Sequence, residues 1–140
     1  METFASTTSN AHRAERPAYD RLATAANLLK YTYGVVPIVA GLDKFTHLLT
    51  NWDKYLAPVV ADILPFSTGT FMSIVGIIEV IAGVLVFIRP KIGSLVVSLW
   101  LVGIAVNVLL SGDYLDVAVR DLVMAVGAFA LYLLLPDDRI

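Results

Sequence analysis

Uncharged apolar stretches dominate the middle of the chain and predict membrane-spanning helices. Residues 71–88 contain one charged side chain, that of Glu79, and residues 92–110 contain none. A helix needs about 20 mostly apolar residues to cross the hydrocarbon core of a bilayer. Both stretches come close enough to this length to predict two transmembrane helices, joined by a tight connection at 89–91.

Two further helices reach spanning length only if they include charged residues. A first helix over about 24–49 must contain Asp43 and Lys44, because its longest uncharged run covers only residues 31–42. A fourth helix over about 114–135 must contain three charged residues near its start: Asp116, Arg120 and Asp121. The alternative, in which both segments stay outside the bilayer, would leave much of this apolar chain unexplained. The pattern therefore favours an all-α integral membrane four-helix bundle.

The connection between the first two helices is itself patterned. From Trp52 to Leu64 apolar residues recur at helical spacing, with polar residues on the other side. The rings of Trp52 and Tyr55 suit the headgroup region, so they are expected to be interfacial anchors. This predicts a short interfacial helix that lies flat on the outer surface and ends near Pro65. A lid helix packed on the bundle ends without lipid contact fits the pattern equally well.

Polarity and charge divide the chain and predict its orientation. Residues 1–21 are polar and lack the apolar core of a secretory signal, so we expect a partly disordered cytoplasmic tail ahead of a transmembrane domain over 22–140. Lysines and arginines are enriched in cytoplasmic loops. If the connection at 89–91 is cytoplasmic, seven basic residues lie on that side and three on the other. We therefore expect an integral protein of a prokaryotic plasma membrane with both termini in the cytoplasm.

The amino-acid composition argues against several classes of binding partner and site. The chain is 58% hydrophobic and 16% charged, and soluble domains carry roughly a quarter charged residues. A net charge of −2 without a basic run argues against nucleic acid as a partner. The absence of cysteine excludes disulfides and thiolate metal sites within the chain. No histidines or carboxylates show a metal-binding spacing, so no metal site is expected.

Ionisable side chains inside hydrocarbon are costly, and their placement marks the best candidate site. Counted along each helix from the outer surface, Lys44, Glu79 and Arg120 fall within one layer, about 8–12 Å deep at 1.5 Å per residue. Asn107 lies slightly higher on the third helix. The sequence thus predicts that each helix contributes a polar group to one level of the bundle.

Helical spacing also predicts which of these groups meet. Glycines share the face of Lys44 on the first helix and the face of Glu79 on the second, and glycines allow helix backbones to approach closely in lipid. We therefore expect an ion pair between Lys44 and Glu79. Local pairs four residues apart are also expected, Asp43 with His47 and Asp116 with Arg120, and Asp121 completes the network.

The predicted network has a structural and a functional interpretation. Buried charges must be paired whatever else they do, so a salt-bridge network that locks the bundle is the minimum interpretation. The functional alternative is a polar pocket for a quinone head, a lipid head group or a proton. Glu79, near the middle of its helix, would then be the proton or hydrogen-bond acceptor.

Three motifs carry a family resemblance. They are GLDKF at 41–45, GIIEVIAG at 76–83 and YLDVAVRDL at 114–122. With four short membrane helices, the chain resembles the DoxX-like family over roughly residues 27–135. That resemblance implies association with membrane-bound, quinone-linked oxidoreductase complexes. The family defines no agreed catalytic residues, so it assigns none here.

The expected function is therefore that of a non-catalytic accessory or assembly subunit of a quinone-linked membrane redox complex, or of a small oligomer. Its partners would be membrane lipid, other membrane subunits or further copies of itself, and a quinone is the one cofactor considered. One alternative is a quinone-binding oxidoreductase subunit with its site around Glu79. A second is a small transporter or proton-conducting protein, which requires water to reach Glu79 from both sides.

Overall fold

Every regular element in the described part of the chain is helical. The computed structural model describes residues 2–137, with side chains from residue 15 onward. The elements are α1 (Glu2–Thr46), a 3₁₀ turn (Trp52–Tyr55), α2 (Pro58–Ile63), α3 (Thr68–Ile88), α4 (Pro90–Ser111) and α5 (Leu115–Leu134). The side chain of Arg13 and all of Arg139, both counted in the charge asymmetry, lie outside the described residues.

Three helices are long and apolar enough to cross a membrane. In α3, α4 and α5 the most apolar windows have mean hydropathies of 2.6, 2.2 and 1.9. Large apolar side chains cover their outer surfaces: Ile81 is 61% exposed, Leu99 65% and Val126 70%. A soluble protein rarely exposes so much contiguous apolar surface, so these faces suit lipid. The chain is accordingly suited to integral membrane localisation.

Helix α1 differs in its bounds from the predicted 24–49. It begins at Glu2, so the segment assigned to a polar tail continues the helix, with Pro17 accommodated inside it. Residues 15–25 are all exposed, whereas Ala26 and Leu29 pack against the core. The helix ends at Thr46 because His47 adopts a left-handed φ of 53°. Within the described residues, α1 does not meet the requirement of length, mean hydropathy and few charged residues that α3, α4 and α5 meet for a membrane-spanning helix.

The three apolar helices lie close to their predicted bounds. Ser67 starts α3 by accepting a hydrogen bond from the backbone N–H of Thr70. Arg89 alone separates α3 from α4, and Pro90 then occupies the first helical position, where its missing N–H costs nothing. Gly112, at φ 77°, ends α4 in the left-handed conformation that favours glycine. These are local signals, which explains why the sequence located them well.

The interfacial segment is not the single helix that was predicted. Ala57 is extended, with φ −61° and ψ 137°, and separates the 3₁₀ turn from α2. The cause is Pro58, which disfavours helical backbone at the preceding residue and cannot donate the hydrogen bond that a continuous helix needs. Residues 49–63, hereafter the cover segment, therefore contain two short helical pieces, the 3₁₀ turn and α2, with a break between them.

The long helices pack α1 on α3, α3 on α4, and α4 on α5, with α1 also touching α5. At the end of the bundle near Arg89 they enclose an apolar cluster, made of Ala82, Val86, Val97, Ala128 and Leu131. Tyr33 of α1 packs against this cluster, and its hydroxyl contacts Gly127 of α5. Ala82 and Val97 of this cluster also line a cavity that extends toward the cover segment.

Candidate functional site

A cavity of about 710 Å³ lies among α1, α3, α4 and α5, with the cover segment as part of its wall. This volume falls within the roughly 300–1,000 Å³ range of small-molecule sites. Most of its walls are aliphatic, as expected for a site that takes an apolar ligand with a few polar contacts. Its polar lining residues are Tyr33, Lys44, Trp52, Tyr55, Glu79, Trp100, Asn107, Arg120 and Asp121.

The predicted ion pair between Lys44 and Glu79 is present at the wall of this cavity. Lys44 Nζ lies 2.6 Å from Glu79 Oε2, and the two side chains are 4% and 6% exposed. Trp100 Nε1 donates a hydrogen bond of 3.3 Å to the other oxygen, Oε1. The ring of Trp52 lies 3.9 Å from Lys44 Nζ, a distance typical of a cation–π contact. Each oxygen of Glu79 therefore accepts one hydrogen bond from the protein.

Backbone proximity explains why these two charges meet. Gly41 precedes Lys44 by three residues and Gly76 precedes Glu79 by three, so each glycine lies on the same helix face as the charge. The two glycines contact each other, and a Cβ on Gly76 would also come within 3.1 Å of Lys44 Cβ. Because the helices are this close, Lys44 can reach Glu79 without leaving the interior.

Asp43 is buried but forms no ion pair with any residue that the structure describes, contrary to the predicted ionic network. Its carboxylate accepts hydrogen bonds from the backbone N–H groups of Leu48 (2.8 Å) and Leu49 (3.1 Å), from the indole of Trp52 (2.8 Å) and from the hydroxyl of Thr46 (3.0 Å). These donors satisfy the carboxylate without a cation. Asp43 therefore ends α1 and fixes the start of the cover segment.

His47 does not pair with Asp43 as the four-residue spacing suggested. In the described residues the contact between them is a backbone one, from His47 N–H to the Asp43 carbonyl at 2.7 Å. The left-handed conformation of His47 removes it from the helical path on which the spacing argument depends. The side chain is exposed.

Asn107 acts on the cover segment rather than on the charged layer. Its Oδ1 accepts a hydrogen bond from the backbone N–H of Ala57 at 3.0 Å, and its Nδ2 donates to the carbonyl of Tyr55 at 2.8 Å. The break at Ala57 leaves these two backbone groups without helical partners, and the amide supplies one for each. Asn107 therefore clamps the cover segment to α4.

Trp52 and Tyr55, the predicted interfacial anchors, both line the cavity and are half-buried. The Tyr55 ring meets Tyr114 edge-on, with ring centroids 4.8 Å apart. Lys54 Nζ lies 5.0 Å from the Tyr55 ring. This aromatic cluster joins the cover segment to the start of α5.

Arg120 pairs with its neighbour Asp121 and not with Asp116. The Arg120 Nε and Nη2 atoms lie 3.4 and 3.3 Å from Asp121 Oδ1. The Arg120 side chain is 60% exposed, whereas that of Asp121 is only 4% exposed. Asp116 is exposed and has no pairing contact within the described chain, so the predicted four-residue pair is wrong. Arg120 and Asp121 line the cavity, and Asp116 does not.

Trp100 and Tyr33 were not among the predicted site residues. Trp100 nevertheless lines the cavity and donates a hydrogen bond to Glu79. A signal was present, because Trp100 and Asn107 are seven residues apart and so share a face of α4. Among the residues that the structure describes, no group of three metal-ligating side chains could hold an ion.

Comparison with known proteins finds no matching protein family, no matching curated protein and no matching solved structure.

Proposed function

We propose that this chain is a four-pass integral membrane protein whose cavity binds the ring of a membrane quinone. In this proposal it is a non-catalytic accessory subunit of a quinone-linked redox complex in the plasma membrane. The observation that carries the proposal is the cavity itself, which combines aliphatic walls with charged and aromatic groups. A planar, weakly polar ring with an apolar tail has the same distribution of polarity.

A fourth crossing by α1 is supported by the burial and pairing of its charged side chains. Charged groups lower the hydropathy of α1, but a charge within a membrane helix is tolerated when it faces the bundle interior and is paired. Asp43 and Lys44 are each only 5% exposed and have protein partners. Outward-facing residues of the same half, such as Leu28 and Leu42, are apolar and exposed.

The occupied state of Glu79 favours binding over catalysis. A general base needs a free oxygen within hydrogen-bond reach of the proton that it removes. Lys44 and Trp100 each donate to one oxygen of Glu79, so a substrate proton would have to compete with both donors for the remaining lone pairs. A binding role makes no such demand on Glu79.

A transport role is less well supported. A pathway needs access to the charged layer from both membrane faces. The apolar cluster around Val86 and Leu131 fills the level of the bundle beyond the cavity. Ser98 lies near that level, but its hydroxyl donates to the carbonyl of Ala125.

Intrinsic fluorescence tests quinone binding directly. The chain has two tryptophans, and both line the cavity, so all of its tryptophan emission comes from the site. Quinones quench tryptophan at short range. Titration of the protein in lipid nanodiscs with a decyl-tailed benzoquinone should give saturable quenching.

A matched pair of variants controls for partition into lipid. Ala82→Phe adds a ring at a buried position that lines the cavity, while Ile81→Phe adds one on the exposed face of the same helix. We expect weaker saturable quenching in Ala82→Phe and an unchanged titration in Ile81→Phe. Linear, non-saturating quenching in all three proteins would contradict the proposal.

The accessory role is a separate claim with its own test. The exposed N-terminal part of α1 and the apolar outer faces leave surface for other subunits. Mild purification from native membranes should recover the chain with redox subunits in fixed stoichiometry. Recovery of the chain alone, with bound quinone, would confirm the binding site and contradict the accessory role.

A further inference from the structure

The exposed residues of the cavity wall show where the cavity opens. Most of the described lining residues are buried or half-buried, and six of them are exposed. The exposed ones are Val35, Val36, Val39, Leu49, Gly103 and Arg120. Because the three valines belong to α1 and Arg120 belongs to α5, most of the exposed wall lies along these two helices.

Helical spacing places Arg120 at the boundary between α1 and α5. The hydroxyl of Tyr33 contacts Gly127, so the edge of α5 that carries Gly127 faces α1. Arg120 precedes Gly127 by seven residues and therefore lies on the same edge, about 10 Å nearer the cover segment. Its side chain is 60% exposed, although that of the next residue, Asp121, is only 4% exposed.

The valines of α1 lie on the corresponding edge of that helix. The glycines of α1 mark the face that packs on α3, and Val36 and Val39 lie on the side away from it, 46% and 47% exposed. Both valines follow Tyr33 toward the end of α1 at the cover segment. The two helices therefore leave a lateral opening, hereafter the mouth, between Val36 and Val39 on one side and Arg120 on the other. The contact of Tyr33 with Gly127 closes the boundary beyond it.

Contacts cross the other boundaries of the bundle. The glycines of α1 and α3 meet backbone to backbone. Trp100 of α4 donates a hydrogen bond to Glu79 of α3. Ser98 of α4 donates one of 2.8 Å to the carbonyl of Ala125 in α5. Among the described lining residues of α3 and α4, Gly103 is the one that is exposed, so the boundary between α1 and α5 carries the larger exposed part of the wall.

We propose that the apolar tail of the ligand leaves the cavity sideways through the mouth and lies in the half of the bilayer nearest the cover segment. This inference rests on the proposed function and adds the entry route and the form of the ligand, a ring with a single apolar tail. The sides of the mouth suit such a tail. Val36 and Val39 are aliphatic, and the stem of Arg120 can lie along the tail while its guanidinium points toward the head groups. A ligand that enters this way from lipid does not need the cover segment to open.

A matched pair of variants tests the mouth through affinity. Val36→Phe adds a ring at the mouth, whereas Leu42→Phe adds one at an exposed position of α1 outside the cavity wall. An overpacked contact corresponds to about fivefold or more in affinity, so Val36→Phe should weaken saturable quenching by the decyl-tailed benzoquinone by at least about that factor. Leu42→Phe should match the native protein. The same ring without a tail should bind all three proteins equally, because the ring itself lies inside. Unchanged affinity in Val36→Phe, or an equal loss for the tailed and tail-less rings, would overturn the mouth.

Photolabelling of the native protein locates the tail directly and does not depend on any variant. The protein in nanodiscs would be equilibrated with a decyl-tailed benzoquinone that carries a diazirine in the middle of its tail. After illumination, mass spectrometry of peptides identifies the labelled residues. Labelling counts only where excess unlabelled decyl-tailed benzoquinone removes it. We expect such competed adducts on residues 33–40 of α1 and 117–124 of α5.

The possible results separate the mouth from the proposed function. Competed adducts on the cover segment, for example at Leu49 or Val60, or beside Gly103 would overturn the mouth while leaving quinone binding intact. Absence of competed adducts would do the same if quenching by the decyl-tailed benzoquinone still saturates. Absence of both competed adducts and saturable quenching would overturn the proposed function and this inference with it.

Discussion

Gly41 of α1 and Gly76 of α3 contact each other backbone to backbone. A Cβ on Gly41 would lie 2.5 Å from the carbonyl oxygen of Gly76, and one on Gly76 would lie 2.7 Å from that of Gly41. Gly83 makes the same approach to Gly34, at 2.5 Å. This seam holds α1 and α3 close enough for Lys44 to reach Glu79. The ion pair between Lys44 and Glu79 therefore depends on the close contact between α1 and α3.

Adding a methyl group at this seam should separate the two helices. We expect Gly41→Ala and Gly76→Ala each to destabilise the protein by about 1–3 kcal/mol, because the new Cβ meets backbone, which cannot rotate away. Gly69→Ala is the control, since a Cβ there meets nothing within 4 Å. Unfolding in mixed detergent micelles measures the difference, and equal stability of Gly41→Ala and Gly69→Ala would contradict the seam.

The Lys44–Glu79 pair should show strong energetic coupling. Lys44→Met strands a buried carboxylate, which costs about 3–5 kcal/mol when one partner of a buried pair is removed. Adding Glu79→Gln to that variant should recover part of the loss, because the charge left alone is gone. The double-mutant cycle is read from the same unfolding titration. Strictly additive losses would mean that the two residues do not interact.

Removal of Asn107 should loosen the cover segment without unfolding the bundle. Asn107→Ala leaves the N–H of Ala57 and the carbonyl of Tyr55 without their partner. Hydrogen exchange of the Ala57 amide should accelerate while amides of α4 keep their protection. Ser73→Ala is the control, because that hydroxyl bonds only the carbonyl of Gly69 in its own helix. Unchanged exchange at Ala57 would show that the cover segment is held elsewhere.

Cysteine labelling separates four crossings from three. The native chain has no cysteine, so single substitutions give a clean signal. With four crossings and the predicted orientation, an impermeant reagent added outside should label Asp62→Cys and Asp113→Cys but not Tyr19→Cys. If only α3, α4 and α5 cross, Tyr19→Cys lies on the same side as Asp62→Cys and both react alike.

Lys91 should control the titration of Asp137 at the opposite end of the bundle. Lys91 Nζ donates hydrogen bonds to Asp137 Oδ1 (2.7 Å) and to the carbonyl of Leu135 (2.9 Å), tying the end of α5 to the start of α4. The hydrogen bond and the charge of Lys91 lower the pKa of Asp137.

A lowered pKa gives stability that is present above the unfolded value, about 3.9, and is lost as the pH falls through the folded value. In Lys91→Met the pKa of Asp137 should return to its ordinary value, as carboxyl NMR would show. A pKa that stays low would assign the effect to other groups.

The charged residues show how far sequence reasoning reached. The Lys44–Glu79 pair followed from helical spacing because both helices are regular and their glycines mark the contact face. The predicted pairs of Asp43 with His47 and of Asp116 with Arg120 are absent for different reasons. His47 leaves the helix, whereas Arg120 is drawn to a carboxylate on the adjacent residue that is buried.

The prediction of a single interfacial helix in the cover segment was wrong for a local reason that the sequence already contained. Pro58 interrupts the periodic apolar pattern between Trp52 and Leu64, so one helix became a 3₁₀ turn and a short α2. Its inward placement could not be read from the pattern, because a ring that suits the headgroup region also suits the wall of a cavity.

The sequence by itself determined the three apolar helices, their approximate ends and the glycine-bearing faces along which α1 and α3 could meet, because hydrophobicity, capping and helical period are properties of neighbouring residues. Only the tertiary structure decided that Asp43 binds backbone, that Trp100 holds Glu79, and that a cavity remains with Asp121 in its wall. Those outcomes depend on how far each helix is rotated and displaced against the others. Packing between residues distant in the chain sets that geometry, and no local pattern encodes it.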